Sequence, residues 1–160
     1  MNIRNATLAD LETIAQIEHK TFASKEACSK EKLKERLKTY PNHFYLLEEK
    51  DKVISFIDGF TTDEENLTDL MYASASLHDE NGKWQMVFGF ATRPAYQHRG
   101  YGSYLMNHFI KKAKEEGRLG IVLTCKEKLI PYYSKFGYQN EGVSLSTHGD
   151  VKWYQMRLTF

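Results

Sequence analysis

The sequence is poor in several features that mark particular classes of protein. Its 160 residues include three prolines and only two cysteines, Cys28 and Cys125, which lie far apart and match no metal-binding spacing. No apolar run approaches the roughly 20 residues that a transmembrane helix needs. The formal net charge is +1 and the basic residues are dispersed, so no strong field attracts nucleic acid or a membrane surface. The sequence therefore argues against a disulfide framework, a membrane protein and a nucleic-acid-binding protein.

The remaining composition is that of a globular domain. Hydrophobic residues make up 41% of the chain and charged residues 27%, and the length fits one domain over residues 1–160. The N-terminal stretch MNIRNATLADLE lacks the apolar core of a signal peptide, so we expect a cytoplasmic protein with reduced cysteines. Six histidines are scattered without ligand spacing, and we expect no metal site. The oligomeric state stays open between a monomer and a homodimer.

Hydrophobic periodicity predicts an α/β protein. Apolar and alternating runs predict strands at residues 1–5, HFYLLEE, KVISFIDGF, 84–92, IVLTC, YQNEGVSL and VKWYQMRLTF. Capping signals and helical spacing predict helices that begin near Thr7 and Ser29 and that span 101–116 and 127–136. A long polar connection, 61–82, is predicted to carry a helical turn near Leu70. This order predicts a mixed β-sheet of about seven strands with helices on both faces.

Residues 93–105, RPAYQHRGYGSYL, join a predicted strand to a predicted helix. The segment has no acidic residue, and it carries Arg93, His98 and Arg99. The first amides of a helix lack partners within it and lie at the positive end of its dipole, so this place suits an anion such as a phosphate. Gly100 and Gly102 would let the backbone approach the anion closely. A tight turn with a purely structural purpose is the alternative.

The common nucleotide motifs do not fit this turn. A dinucleotide site needs G-x-G-x-x-G, and the position of its third glycine is Leu105. The P-loop pattern G-x-x-x-x-G-K-[ST] is absent as well. The pattern that is present is Q-x-x-G-x-G, from Gln97 to Gly102.

Two segments resemble the motifs of one enzyme family. FGFATRPAYQHRGYGSYL resembles motif A of the GNAT family of N-acetyltransferases, and LIPYYSKFGY resembles its motif B, in the same order along the chain. IEHKTF, LIPYYSKFGY and the long 61–82 connection are similar to the arylalkylamine (serotonin) N-acetyltransferase branch. The resemblance implies a GNAT-like sheet with helices on both faces.

The resemblance also implies the reaction. Acetyl-CoA (coenzyme A after transfer) would be the donor, and a primary amine would be the acceptor, most in keeping with a small arylalkylamine or polyamine. The acetyl group would move directly in a ternary complex. Two alternatives stay open: an acetyltransferase for proteins or peptides, and a CoA-binding sensor module without catalysis.

Site residues follow from the matching motif positions. The resemblance implies that the pantetheine arm lies along the strand segment Phe90, Ala91 and Thr92. It also implies that the pyrophosphate lies on the turn formed by Gln97, His98, Arg99, Gly100, Tyr101, Gly102 and Ser103. A peptide N–H near Phe90 would polarise the thioester carbonyl. Gly89 either allows a bulge that separates this strand from IVLTC or packs closely against a ring.

Tyr133 is the implied acid that protonates the leaving thiolate, since it holds the motif B position after Pro131 and Tyr132. We take an ordinary phenol pKa, near 10, as the starting expectation for Tyr133. The branch's two proton-relay histidines correspond to Met86 and Phe88, which do not titrate.

The base that deprotonates the acceptor is therefore unassigned. A water chain or a carboxylate of the long connection, Asp63, Glu64 or Glu65, is a candidate. Cys125 either serves as an acyl-enzyme nucleophile or is a small buried hydrophobe. We favour the second, because no histidine is recognisably paired with it.

Overall fold

The structure is a computed structural model that describes residues 1–146 and 148–160, with His148 described by its backbone alone. The chain divides into two compact units. The first unit comprises Met1–Gly59 and Phe88–Phe109, and the second comprises Phe60–Val87 and Ile110–Phe160.

The described residues form nine strands and five α-helices. The strands are β1 (Asn2–Asn5), β2 (Phe44–Glu49), β3 (Lys52–Asp58), β4 (Thr61–Thr62), β5 (Trp84–Met86), β6 (Gly89–Thr92), β7 (Gly120–Cys125), β8 (Gln139–Val143) and β9 (Tyr154–Thr159). The helices are α1 (Leu11–Thr21), α2 (Lys30–Thr39), α3 (Asp69–Ala73), α4 (Tyr101–Glu115) and α5 (Ile130–Ser134).

The first unit is built on an antiparallel sheet in the order β1-β2-β3-β6. Lys50 and Asp51, both in left-handed conformation, connect β2 to β3 as a two-residue hairpin loop. The Ser29 hydroxyl accepts a hydrogen bond from the Lys32 N–H at 3.2 Å and caps α2, as the sequence predicts.

Helices cover both faces of this sheet. Phe44 and Asp58 are cross-strand partners and share one face, where Asp58 contacts Arg36 of α2. Tyr45, the next residue of β2, points to the other face and contacts Phe109 of α4 at 5.9 Å between ring centroids. The predicted α/β class with helices on both faces is confirmed for this unit.

The second unit contains a mixed sheet in the order β4-β5-β7-β9-β8, in which only β5 and β7 are parallel among the described strands. The short helix α5 packs against β8 and β9. The long connection is fastened to β9, because the Leu67 N–H donates to Gln155 Oε1 at 3.1 Å and Arg157 Nη2 donates to the Glu65 carbonyl at 2.7 Å. The connection contains β4 and α3, and α3 includes the predicted turn at Leu70.

The single strand predicted over residues 84–92 is wrong, because the structure divides it. Val87 N–H donates to the Val122 carbonyl at 3.0 Å, whereas Phe88 N–H donates to the Asp58 carbonyl at 2.8 Å. The backbone changes partner strand between these two residues, so β5 and β6 belong to different sheets. This division and the short β4 account for strands beyond the seven expected.

Gly89 lies at the start of β6, where a side chain has no room. A Cβ atom placed there would lie 2.4 Å from Asp58 Oδ1 and 2.9 Å from Cε2 of Phe56. The second alternative for Gly89, close packing against a ring, is therefore confirmed, and a buried carboxylate adds to it.

No helix within the described ranges combines the length and the apolar character that crossing a membrane requires.

We expect Gly89→Ala to lower the free energy of unfolding by about 1–3 kcal/mol, the usual range for an overpacked core site. Replacing Phe56 by leucine should relieve part of the clash, so the double variant should lose less stability than the sum of the single variants. Urea unfolding of the four proteins in this cycle measures the coupling.

Gly117→Ala is the matched control, because a Cβ there meets nothing within 4 Å although φ is +79°. Its effect should add to that of Phe56→Leu. If Gly89→Ala is additive with Phe56→Leu as well, the Phe56 ring does not impose the requirement for glycine.

Candidate active site

The turn that follows β6 is held by hydrogen bonds at both of its ends. The Arg93 backbone N–H donates to the Ile54 carbonyl at 2.8 Å, and its Nε donates to the Val53 carbonyl at 2.7 Å. Gln97 Nε2 donates to the Thr92 carbonyl at 3.0 Å and closes the loop on the end of the strand. Arg93 therefore serves at least in part to anchor the turn to β3.

Two residues of the turn have left-handed backbones. His98 has φ of 63° and Gly100 has φ of 86°. A Cβ at Gly100 would meet nothing within 4 Å, so the conformation favours glycine there and packing does not. The Gly100 carbonyl accepts from the Tyr104 N–H at 3.0 Å, which starts the hydrogen-bonding pattern of α4. The exposed turn thus leads directly into the N-terminus of a 15-residue helix.

Positive charges collect around one aromatic ring at this turn. Lys52 Nζ lies 5.6 Å from the Tyr96 ring centroid, and the Arg99 guanidinium lies 5.8 Å from it. Tyr101 packs edge-on against Tyr96 at 6.0 Å between centroids. Glu49 accepts a hydrogen bond from the Tyr101 hydroxyl, which raises the pKa of that phenol. The turn combines helix-terminal amides with cations, an arrangement that suits a bound anion.

The strand before the turn, β6, pairs with one other strand of its sheet, β3. β6 is the terminal strand, paired through Ile57 with Phe90 and through Phe56 with Ala91. Ser55 Oγ donates to the Ala91 carbonyl at 2.8 Å and lies 3.0 Å from Thr92 Oγ1. Ala91 is buried and its two neighbours are half-buried. The structure thus places the predicted pantetheine residues along one sheet edge, next to the predicted pyrophosphate turn.

Tyr133 lies in the second unit, within a cluster of aromatic rings. It is 8% exposed, and its ring packs edge-on against Tyr132 at 5.2 Å and Tyr138 at 5.8 Å between centroids. Pro131 occupies the first turn of α5, where its missing N–H is tolerated. Cys125 and Tyr72 are close enough to influence the Tyr133 phenol electrostatically.

Burial raises the pKa of Tyr133 well above its usual value near 10, and Cys125 adds to this effect. The ordinary phenol pKa expected from the sequence is therefore wrong for the protein without ligands. Tyr133 remains protonated at all ordinary pH values, so it can donate a hydrogen bond or a proton and cannot act as a base.

Neither cysteine has the environment of a nucleophile. Burial raises the pKa of Cys125 to about 11, and burial likewise raises the pKa of Cys28 to about 11. Cys125 is 2% exposed. Because the thiolate is the reactive form, both side chains are poorly suited to attack a thioester at neutral pH. This supports the interpretation of Cys125 as a small buried hydrophobe.

The acids of the long connection, Asp63, Glu64 and Glu65, are exposed. Asp63 Oδ1 accepts from the Lys83 N–H at 3.1 Å and thereby holds a turn. Glu64 donates its N–H to Thr62 Oγ1, and Glu65 offers its carbonyl to Arg157. These contacts are those of structural loop residues.

The sequence interpretation missed a set of buried charged residues in the first unit. Asp58 is 0% exposed, and its Oδ2 accepts from the Tyr40 hydroxyl at 2.7 Å with Arg36 Nη1 at 3.5 Å. The Arg36 guanidinium lies 5.4 Å from the Phe88 ring centroid. Glu18, 5% exposed, accepts from the Cys28 N–H at 2.7 Å.

A signal for these residues exists in the sequence. Glu18 follows Ile14 at the i+4 position, on the apolar face of α1, and Asp58 ends the apolar run VISFID. A charged residue on an otherwise buried face is the exception that calls for a reason.

Comparison with known proteins identifies the family. The model of the Acetyltransferase (GNAT) family matches residues 10–138. Serotonin N-acetyltransferase of Mesocricetus auratus is 27% identical over 110 residues, which cover 68% of this chain and 52% of that protein. The chain thus aligns with about half the length of this curated relative.

Solved structures share the fold at low sequence identity. The loading GNATL domain of CurA from Lyngbya majuscula has a TM-score of 0.86 and 15% identity, with 99% of this chain and 96% of that chain covered. The PaiA N-acetyltransferase from Thermoplasma acidophilum, in complex with coenzyme A, has a TM-score of 0.74 and 18% identity, with 99% and 98% covered. Since the family match spans most of the sequence, the protein belongs to the acetyltransferase (GNAT) family.

Proposed function

We propose that the protein is an N-acetyltransferase that moves the acetyl group of acetyl-CoA directly to a primary amine. The observation that carries the proposal is the exposed basic turn that opens α4, with left-handed His98 and Gly100. Membership of the acetyltransferase family supports the donor. The high pKa values of both thiols, about 11, support direct transfer over an acyl-cysteine intermediate.

The pyrophosphate of the donor is assigned to the turn. The amides from Gln97 to Ser103 would contact its oxygens, and the charges of Lys52 and Arg99 would add a favourable field. The cation–aromatic contacts with Tyr96 hold both charges near the turn at 5.6 and 5.8 Å. Because these groups are exposed, the contribution of their charges should weaken with salt.

Tyr133 is assigned as the donor to the leaving sulfur. The amine attacks the thioester carbonyl, and the tetrahedral intermediate expels the CoA thiolate. A phenol kept protonated by burial can hydrogen-bond to the developing negative charge on sulfur. Since this pKa is high, the donor works chiefly by stabilising the thiolate, and the proton it gives must be replaced from the attacking nitrogen.

The acceptor is proposed to be a small arylalkylamine or polyamine. The similarity to serotonin N-acetyltransferase supports this class. The hydrogen bonds that fasten the 61–82 connection to Gln155 and Arg157 give that segment a defined shape, which suits a bounded acceptor pocket. A peptide acceptor is the competing outcome.

An acceptor panel tests the activity. We expect CoA thiol release from acetyl-CoA with an arylalkylamine such as 2-phenylethylamine or with spermidine, at rates above those with aminoglycosides and peptides of varied N-terminus. Faster turnover of a peptide would indicate instead that the acceptor is a protein or peptide amine. CoA binding without thiol release from any acceptor would indicate a sensor module.

CoA should stabilise the folded protein, by about 2.7 kcal/mol at 100 times its dissociation constant. Gly102→Val should abolish the CoA-induced shift in melting temperature, because a β-branched side chain at the first turn of α4 would block the approach of the pyrophosphate. Asn107→Val is the control, because it places the same β-branched side chain at an exposed position of the same helix. If folded Gly102→Val keeps the full shift while Asn107→Val behaves the same, the pyrophosphate lies elsewhere.

Tyr133→Phe should keep the fold and the affinity for CoA while kcat falls by about 10²-fold, at the lower end of the range for general-acid catalysis. Because the Tyr133 pKa is raised, its contribution should persist to alkaline pH without a falling limb near pH 10. Single-turnover rates with the best acceptor measure the effect where product release does not limit it. Tyr104→Phe, at an exposed tyrosine (48%), should leave the rate unchanged. An unaltered single-turnover rate in Tyr133→Phe would make that tyrosine structural and direct attention to Tyr132.

A further inference from the structure

The first unit buries more negative than positive charge next to β6. Glu18, Arg36, Tyr40 and Asp58 form the buried carboxylate cluster, in which one guanidinium faces two carboxyl groups. Glu18 and Asp58 are close enough for their charges to repel. Removing ions from water is expensive, and an uncompensated charge is expensive above all. Burial raises the pKa of both carboxyl groups, so among the described residues the cluster lacks one cation only while both acids are ionised.

One oxygen of the cluster points to an additional partner. Asp58 Oδ1 is buried and accepts no well-aligned hydrogen bond from the described residues, although the Gly89 N–H is close enough to lower the Asp58 pKa. It lies against Gly89, where a Cβ would come within 2.4 Å of it. Buried polar atoms are nearly always satisfied, so an unsatisfied carboxylate oxygen commonly marks a place for a ligand or a functional group.

Glu18 is less completely buried than Asp58. It keeps 5% of its surface exposed, whereas Asp58 keeps none. Burial raises the Glu18 pKa to about 7, and repulsion by Asp58 adds to the rise, while the Cys28 N–H, Arg36 and His19 oppose it. A carboxyl group that titrates near neutral pH has the proton affinity that a general base requires.

We propose that Glu18 is the base that removes a proton from the ammonium group of the acceptor, with Asp58 and Arg36 as positioning residues. The assignment rests on the proposed acetyltransferase function and deepens it. The ligand class is a protonated primary amine, because such a cation supplies the positive charge that the cluster lacks. The Phe88 ring lies under the Arg36 guanidinium, which ties the cluster to the residue before β6.

The proposal supplies the group that the motifs leave unassigned. Met86 and Phe88, which flank the point where β5 gives way to β6, have side chains that do not titrate. The cluster reaches the same strand segment through Gly89 and Phe88. A carboxyl group from α1 would thus supply the titrating group that this segment lacks.

Each proton released in the proposed reaction has an acceptor. The Glu18 carboxylate takes one proton from R–NH₃⁺ and becomes a carboxylic acid, and the neutral amine forms the C–N bond to the thioester carbon. On collapse, the C–S bond breaks, the nitrogen loses a second proton and the sulfur gains one, which leaves the amide and CoA thiol. Glu18 then returns its proton to water.

The test compares wild type with Glu18→Gln over pH 5.5–10 by thiol release with the best acceptor of the panel. Glutamine preserves the acceptor for the Cys28 N–H and removes the base. In wild type, kcat/KM should rise with an apparent pKa near 7 and then level off. In Glu18→Gln, kcat/KM should fall by about 10²-fold at pH 7. It should then climb about tenfold per pH unit as the free-amine fraction grows, and meet the wild-type plateau between about pH 9 and the amine pKa of about 10.

Glu12→Gln, at an exposed position of the same helix, is the matched control and should retain the wild-type profile. The CoA-induced melting shift should be equal in all three proteins, which shows that the fold and the donor site are intact. A structural role for Glu18 would lower the rate equally at every pH, and that result would overturn the proposal.

The pH dependence of the free energy of unfolding tests the shifted pKa of Glu18 independently of catalysis. Between about pH 4.5 and 7, folded Glu18 keeps a proton that the unfolded chain has lost, so folding binds protons and wild-type stability should fall as pH rises. Burial also raises the pKa of Asp58, and that contribution remains in the variant. Stability of Glu18→Gln should therefore decline less steeply with pH than that of wild type, and equal slopes would contradict the proposal.

Failure of the proposed function and failure of the Glu18 assignment give different experimental results. If wild type releases no thiol with any acceptor, the proposed function fails and the base assignment fails with it. If wild type is active and Glu18→Gln keeps its rate and its pH profile, only the assignment of Glu18 is wrong.

Discussion

The contact of Gly89 with Asp58 and Phe56 is the constraint on which the first unit depends. With 2.4 Å between a would-be Cβ and the Asp58 carboxylate, only glycine lets β6 lie on β3 without a shift of the core. The register of β6 on β3 places Thr92 opposite Ser55 and carries the chain into the turn that opens α4. Glycine at this position therefore permits the strand pairing that leads into the turn before α4.

The same contact buries a carboxyl group, and the unit compensates for that burial only in part. Tyr40 and Arg36 hydrogen-bond to one oxygen of Asp58, at 2.7 and 3.5 Å, and the other oxygen accepts no well-aligned hydrogen bond from the described part of the chain. Glu18 adds a second carboxyl group whose proton affinity rises through burial. Buried ion pairs contribute little net stability, since desolvation offsets their attraction. Retention of two acids for one guanidinium is easier to explain by chemistry than by stability.

Burial also separates residues that look alike in the sequence. The chain has 10 tyrosines, and the phenols of Tyr133 and Tyr101 respond to opposite surroundings. Tyr133 sits among other rings, where desolvation favours the neutral phenol. Tyr101 lies at the basic turn, where its hydroxyl donates to Glu49. Motif position selected Tyr133, but only its packing indicates how its proton is held.

Local chemistry was sufficient for much of the fold and for the glycine-containing turn before α4. Helical periodicity, the Ser29 cap and the Lys50–Asp51 hairpin depend on residues close in sequence, so the sequence alone predicts them. The glycine turn before α4 is likewise a local pattern, and its residues lie where the motif places them.

Tertiary structure decided what depends on distant partners. The division of strand 84–92 follows from hydrogen bonds to Val122 and Asp58, which are remote in sequence. The cluster around Glu18 joins α1, α2 and β3, so its shifted proton affinity arises only when these elements pack. Periodicity records which faces are buried, but desolvation and charge pairing act between side chains that only the folded chain brings together.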